Sequence, residues 1–129
     1  MKAEKTMIGY TTIGTNDLSK AAEFYDALLA EIGAKRMMTL ERLVVWSVAA
    51  HLPAFGVCLP FNQEPSVSGN GNMIALSVKS AEQADALHRK ALELGASNDG
   101  DPGPRGSAFY CAYVRDLDGN KLNFFCMQG

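Results

Sequence analysis

Few side chains in this sequence have the type and spacing for covalent or acid–base chemistry. The two histidines are His51, in the turn Ala50-His51-Leu52-Pro53, and His88, between Leu87 and Arg89. Histidine is the side chain best suited to general base work near neutral pH. Neither has a serine or cysteine at a suggestive spacing, and both are expected to face solvent. Cys58, Cys111 and Cys126 are odd in number with no close pair, the pattern of reduced thiols rather than of a disulfide framework. They read as small apolar filling in strands. Cys58 or Cys111 would act as a nucleophile only beside a base that nothing in the sequence supplies. The run Gly69-Asn70-Gly71 precedes a strand instead of following one, so it is no phosphate-cradling loop.

What remains is recognition chemistry. Arg105, in the loop Gly103-Pro104-Arg105-Gly106, offers a planar fork that suits a carboxylate or phosphate; the plain alternative is a solvated loop charge. In the strand Ala108 to Arg115, alternation puts Phe109, Cys111, Tyr113 and Arg115 on one face and Tyr110, Ala112 and Val114 on the other. The first of these faces carries a phenol and a guanidinium, able to orient an acidic or aromatic ligand, unless Arg115 pairs with Asp116 or Asp118 in the turn that follows. In the last strand, Lys121 and Phe125 share the face of Asn123. Trp46 and Phe55 either line a ligand cleft or, as large aromatics more often do, fill the core.

These residues must be positioned by a small fold. The chain has 129 residues, 47% of them hydrophobic, which predicts one folded domain without need of a staple. Twelve basic and fourteen acidic residues give a net charge of -2, so the basic footprint of a nucleic-acid binder is missing. No apolar stretch approaches the ~20 residues of a membrane span. The charged N-terminus, Met1-Lys2-Ala3-Glu4-Lys5, lacks the apolar core of a secretory signal, and a cytoplasmic protein is expected.

The order of elements repeats. Met7 to Thr15 reads as a strand. Asp17 then caps a helix whose stripe is Leu18, Ala21, Ala22, Tyr25, Leu28, Leu29 and Ile32, with Gly33 at the left-handed position after it. Ala34 to Leu40, Leu43 to Ala49 and Pro53 to Leu59 read as strands, and Gln63 to Gly71 as a linker. A strand at Met73 to Val78 follows. Ser80 and Gln83 have the spacing of a capping box for a second helix, with the stripe Ala84, Leu87, Ala91 and Leu94 ending at Gly95. His88 is off that stripe. Asp99 to Gly106, with two prolines and three glycines, reads as a loop. Ala108 to Arg115 and Lys121 to Met127 read as strands joined across Asp118-Gly119, a short hairpin signal. Gly33-Ala34 recurs as Gly95-Ala96, 62 residues on, and Tyr10 to Ile13 as Met73 to Leu76, 63 residues on. A duplicated βαβββ unit accounts for this order, module one spanning about 7–62 and module two about 72–128.

Two segments carry a family resemblance. DLSKAAEFYDALLAEIGAKR resembles the first helix of the vicinal-oxygen-chelate superfamily, the glyoxalase/bleomycin-resistance/dioxygenase proteins, through Asp17, Leu18, Ala21, Phe24 and Tyr25. FYCAYVRDLDGNKLNFF resembles the closing hairpin of that family, R-D-P-D-G-N-x-x-E, at Arg115, Asp116, Asp118, Gly119 and Asn120, with Leu117 in place of the proline. The resemblance implies an α+β fold, two βαβββ modules forming a cup-shaped mixed sheet within a single domain over 1–129, and pairing into a homodimer. It also implies four metal-ligand positions, which fall at Tyr10, near Val57, at Met73 and at Asn123. None is a histidine or carboxylate. Of the flanking residues, Gly9, Thr11, Gly56, Cys58, Asn72, Ile74, Leu122 and Phe124, only Cys58 binds divalent metals well, and one thiolate is no site. Neither metal nor cofactor is therefore expected.

By the resemblance, Tyr10 and Asn123 aim into the cup, where they bond a small ligand, or else each other or buried water. The resulting expectation is a small-molecule-binding protein with Tyr10, Met73, Arg105, Tyr113 and Asn123 at the ligand, no nucleic acid and no membrane. The alternative is a lyase or isomerase related to lactoylglutathione lyase, with a base outside the usual positions. A third reading has the cup filled by side chains in a structural role.

Overall fold

The computed structural model of the chain describes residues 6–128. The β-branched run at its start forms strand β1 (Tyr10–Gly14), which leads into helix α1 (Leu18–Ala30). Asp17 is the N-cap: its carboxylate accepts from the Lys20 N–H at 3.1 Å, satisfying one of the first-turn donors that a helix leaves unpaired. Gly33, with φ 79°, takes the left-handed turn after the helix. Three strands follow, β2 (Lys35–Thr39), β3 (Leu43–Ser47) and β4 (Ala54–Cys58). Strand β4 pairs parallel with β1 and antiparallel with β3, giving the order β1-β4-β3-β2.

The second half repeats this plan with β5 (Ile74–Ser77), α2 (Ala81–Glu93), β6 (Ser97–Arg105), β7 (Phe109–Arg115) and β8 (Lys121–Met127) in the order β5-β8-β7-β6. Again the first strand joins the last in parallel and the rest are antiparallel. The fold is thus α+β, two mixed four-stranded sheets with one helix each. The chain divides into two compact units, one ending at Ser66 and the other beginning at Val67. Among the described residues no helix is long and apolar enough to cross a membrane. At the start of α2 the Ser80 hydroxyl accepts from the Gln83 N–H at 3.1 Å, and the Gln83 amide oxygen accepts from the Lys79 N–H at 2.9 Å. The capping box forms, with its return bond one residue ahead of the cap.

In the first unit α1 buries Ala21, Ala22, Tyr25, Leu28 and Leu29 of the expected stripe, and also Phe24. Trp46 and Phe55 settle in this core, their rings 5.8 and 4.9 Å from that of Tyr25. The Trp46 indole N–H donates to Asp26 at 2.9 Å, and Arg36 donates to both oxygens of that carboxylate at 2.9 and 2.8 Å. The bonds from Arg36 hold the Asp26 carboxyl below its usual range, against a smaller opposing effect of burial. A depressed carboxyl stabilises the fold above its unfolded pKa of about 3.9, and that contribution is lost as pH falls through the folded value. Both side chains of the pair are a third or more exposed, so it contributes no more than about 1 kcal/mol. Asp26→Asn should therefore lose less melting temperature than the parent between pH 5 and pH 3, read from the emission of the sole tryptophan. Equal losses would show that Asp26 titrates normally.

Three expectations fail, all through one strand. Asp99 to Gly106 is not a loop but most of β6, whose register shifts between Asn98 and Gly100 and between Gly100 and Gly103. β6 is an edge strand. One side of such a strand needs no partner, which accommodates proline, and the shifts are bulges that glycine permits. His88 is not exposed: α2 packs on β6 and the imidazole lies 2.9 Å from the Asn98 amide oxygen, only 6% exposed. Arg115 does not pair with Asp116 or Asp118 either. It donates to Asp99 of β6 at 3.1 Å and to the Gly119 carbonyl at 3.1 Å. Asp116 accepts instead from the backbone N–H groups of Asp118 and Asn120, each at 2.9 Å, and from the Asn120 amide at 3.1 Å.

Candidate functional site

Helix α2 decides which face of its sheet does what. It packs on β6, β7 and β8 with Ala84, Leu87 and Ala91. Against it stand Ala112 and Val114 of β7 and Leu122 and Phe124 of β8, all fully buried. Alternation sends the intervening side chains to the opposite face. There Cys111, Tyr113 and Asn123, together with Arg105, Phe109, Phe125 and Ala75, line a hollow of about 360 Å³. Pairing brings them together: Asn123 stands between Ala75 of β5 and Tyr113 of β7, Cys111 opposite Phe125, and Arg105 opposite Phe109.

The polar members of this hollow are unequally satisfied. Asn123 is 6% exposed, and its amide nitrogen donates to the Cys111 sulfur at 3.6 Å. Its amide oxygen is buried with no hydrogen-bond donor. A buried acceptor left alone costs about 1–3 kcal/mol. Arg105 donates to the backbone carbonyls of Gly103, Pro104 and Asp101 at 3.1, 3.2 and 2.7 Å. It makes no ion pair among the described residues. Its guanidinium lies 5.4 Å from the centre of the Tyr113 ring, and the Lys121 ammonium lies 5.0 Å from that centre, both within cation–π range. Lys121 shares Asp99 with Arg115, at 3.5 and 3.1 Å. The Tyr113 phenol is pushed above its usual range, first by its hydrogen bond with Cys111 and then by burial, while the charge of Arg105 pulls the other way. It therefore stays an un-ionised hydroxyl at neutral pH. Glycine is required opposite it, since a Cβ on Gly100 would lie 2.8 Å from the Tyr113 ring.

Of the five residues expected at a ligand, Arg105, Tyr113 and Asn123 line this hollow. Met73 does not: it precedes β5, 43% exposed, and the residue paired with Asn123 is Ala75. Counting along the repeat finds the strand but not its register with β8. Tyr10 opens β1 in the first unit, opposite Ala54 and 69% exposed. Val57 faces the core of that unit, and its sheet's other face carries Gly56 and Cys58. Nothing in the sequence marks Ala75, and alternation groups Phe109, Cys111 and Phe125 by face without saying which face is open. One signal would have chosen: Ala112, Val114, Leu122 and Phe124 form the unbroken apolar set that the small stripe of α2 needs, leaving the thiol, phenol and amide for the open side.

The donor set does not fit the divalent metal that the resemblance implies. Among the described residues no three histidine, cysteine, aspartate or glutamate side chains converge. In the hollow Cys111 is the one good metal donor, accompanied by the neutral oxygens of Tyr113 and Asn123, whereas zinc takes three or four strong ligands and hard cations several oxygens.

Comparison with known proteins agrees with this architecture. The profile of the Glyoxalase/Bleomycin resistance protein/Dioxygenase superfamily matches residues 7–124. A glyoxalase/bleomycin resistance protein from Albidiferax ferrireducens T118 is 31% identical, with a TM-score of 0.85 over 93% of this chain and 98% of that one. A hypothetical protein from S. aureus is 26% identical, with a TM-score of 0.72 over 95% and 93% of the two chains. A glyoxalase/bleomycin resistance protein/dioxygenase family enzyme from Burkholderia phytofirmans PsJN, at 18% identity, has a TM-score of 0.73 over 91% and 95% and shares the fold. No protein of curated function matches. With the profile spanning nearly the whole chain and the duplicated βαβββ plan beneath it, the protein belongs to the glyoxalase/bleomycin resistance protein/dioxygenase superfamily.

Proposed function

We propose that the protein binds a small organic molecule in the hollow on the open face of the β5–β8 sheet, without a catalytic metal. The observation that carries this reading is the buried, donorless amide oxygen of Asn123 on the wall of that hollow. A buried acceptor without a donor is costly, and a ligand O–H or N–H supplies the missing partner. The hollow, about 360 Å³, falls at the small end of the range for ligand sites, and its apolar walls with a few polar anchors have their usual character. Tyr113 adds a neutral hydroxyl and Arg105 a cation. The same reading has the chain as a cytoplasmic homodimer, which sedimentation velocity would register as twice the mass of one chain.

Titration calorimetry with Zn²⁺, Ni²⁺ and Mn²⁺ tests the metal-free part. Dialysed protein is expected to take up none of the three stoichiometrically. One equivalent held against EDTA would overturn the reading and favour a metal-dependent lyase or isomerase related to lactoylglutathione lyase.

A further inference from the structure

Resting on the reading above, we propose that the molecule is a small aromatic carboxylic acid that also carries a hydroxyl or amino donor. Three features of the hollow converge on this class. The first is charge. The Arg105 guanidinium is bonded to backbone carbonyls and to no carboxylate among the described residues, and the neutral Tyr113 phenol beneath it brings no anion. An uncompensated guanidinium on a pocket wall selects a carboxylate through two parallel hydrogen bonds.

The second feature is shape. Phe109 and Phe125 stand with ring centres 6.3 Å apart and planes tilted by 52°. Ala75, opposite Asn123, projects little into the space. A flat ring can lie against this wall, and a volume of about 360 Å³ suits one ring with its substituents rather than a long conjugate. The third is the Asn123 amide oxygen, which accepts only and so requires a donor from the ligand. An aliphatic acid would leave the aromatic wall unused, and a neutral phenol would leave Arg105 unused.

The test uses the full chain and three matched sets of probes: the hydroxybenzoates, the toluates, in which methyl replaces hydroxyl, and the hydroxybenzamides, in which a neutral amide replaces the carboxylate. Affinities are read by NMR titration, following the backbone amides of Ala75, Cys111 and Asn123. The best hydroxybenzoate is expected to bind about tenfold more tightly than its toluate and about tenfold more tightly than its benzamide, the difference made by one hydrogen bond to a charged or buried partner. Arg105→Met should erase the preference over the benzamide and keep that over the toluate, and Asn123→Leu should do the reverse. Binding of all three sets with equal affinity, or preferences that survive both substitutions, would overturn the ligand class while leaving a small-molecule site in place. If no probe shifts those amides at millimolar concentration, the ligand class fails, and the small-molecule site then stands or falls on whether Asn123→Leu stabilises the unliganded protein.

Discussion

Asn123→Leu is expected to raise the stability of the protein. The parent side chain buries an amide oxygen with no donor, and its one bond is a long contact from the amide nitrogen to the Cys111 sulfur. Removing the orphaned acceptor recovers part of its desolvation cost of about 1–3 kcal/mol, and the weak sulfur bond is the only polar interaction given up. A net gain of about 1 kcal/mol follows, a rise in melting temperature of roughly 3–5 °C for a chain of this size. Stability purchased in this way at the expense of recognition is the usual mark of a binding residue. Differential scanning calorimetry on the unliganded proteins decides the matter. A loss of more than about 1 kcal/mol would mean that the amide is structurally satisfied, and the ligand would no longer be needed to explain it.

The next residue should behave in the opposite way. Phe124 is 0% exposed, under α2, on the other face of β8. Phe124→Ala should cost about 3–5 kcal/mol, through lost transfer energy and the cavity left beneath the helix. That is a large part of the 5–15 kcal/mol typical of folded domains. Urea melts should show a lower midpoint with little change in slope. Gain at 123 and heavy loss at 124 follow from the period of two along a strand, which puts adjacent side chains on opposite faces. A cost below about 1 kcal/mol at Phe124 would place it outside the core and reverse the assignment of faces.

Much of the fold is legible in the residues because local chemistry dictates it. Asp17 and Ser80 cap the two helices, Gly33 and Gly95 both take positive φ, and the repeat between halves returns as identical strand orders. Non-local pairing is where legibility ends. β6 is hidden by Pro102, Pro104 and its glycines, and with it go Asn98, which receives His88, and Asp99, which receives Arg115. Register is hidden in the same way: Met73 follows from counting along the repeat, while Ala75 follows only from the parallel pairing of β5 with β8. Arg105 and Tyr113 stand out in the sequence as a charged and a polar group on a loop and a strand, and Asn123 follows from the resemblance of the closing hairpin. Only the packing of Tyr25 of α1 against Trp46 and Phe55 assigns these two rings to the core rather than to a ligand wall.

The most direct measurement is a crystal structure of the protein soaked in phenol, benzoate and 4-hydroxybenzoate together, with anomalous data collected at the zinc edge. The account predicts ring-shaped density against Phe109 and Phe125, a ligand donor within hydrogen-bond distance of the Asn123 amide oxygen, and no anomalous peak in the hollow. A metal ion beside Cys111, or a hollow closed by the protein's own side chains, would contradict it.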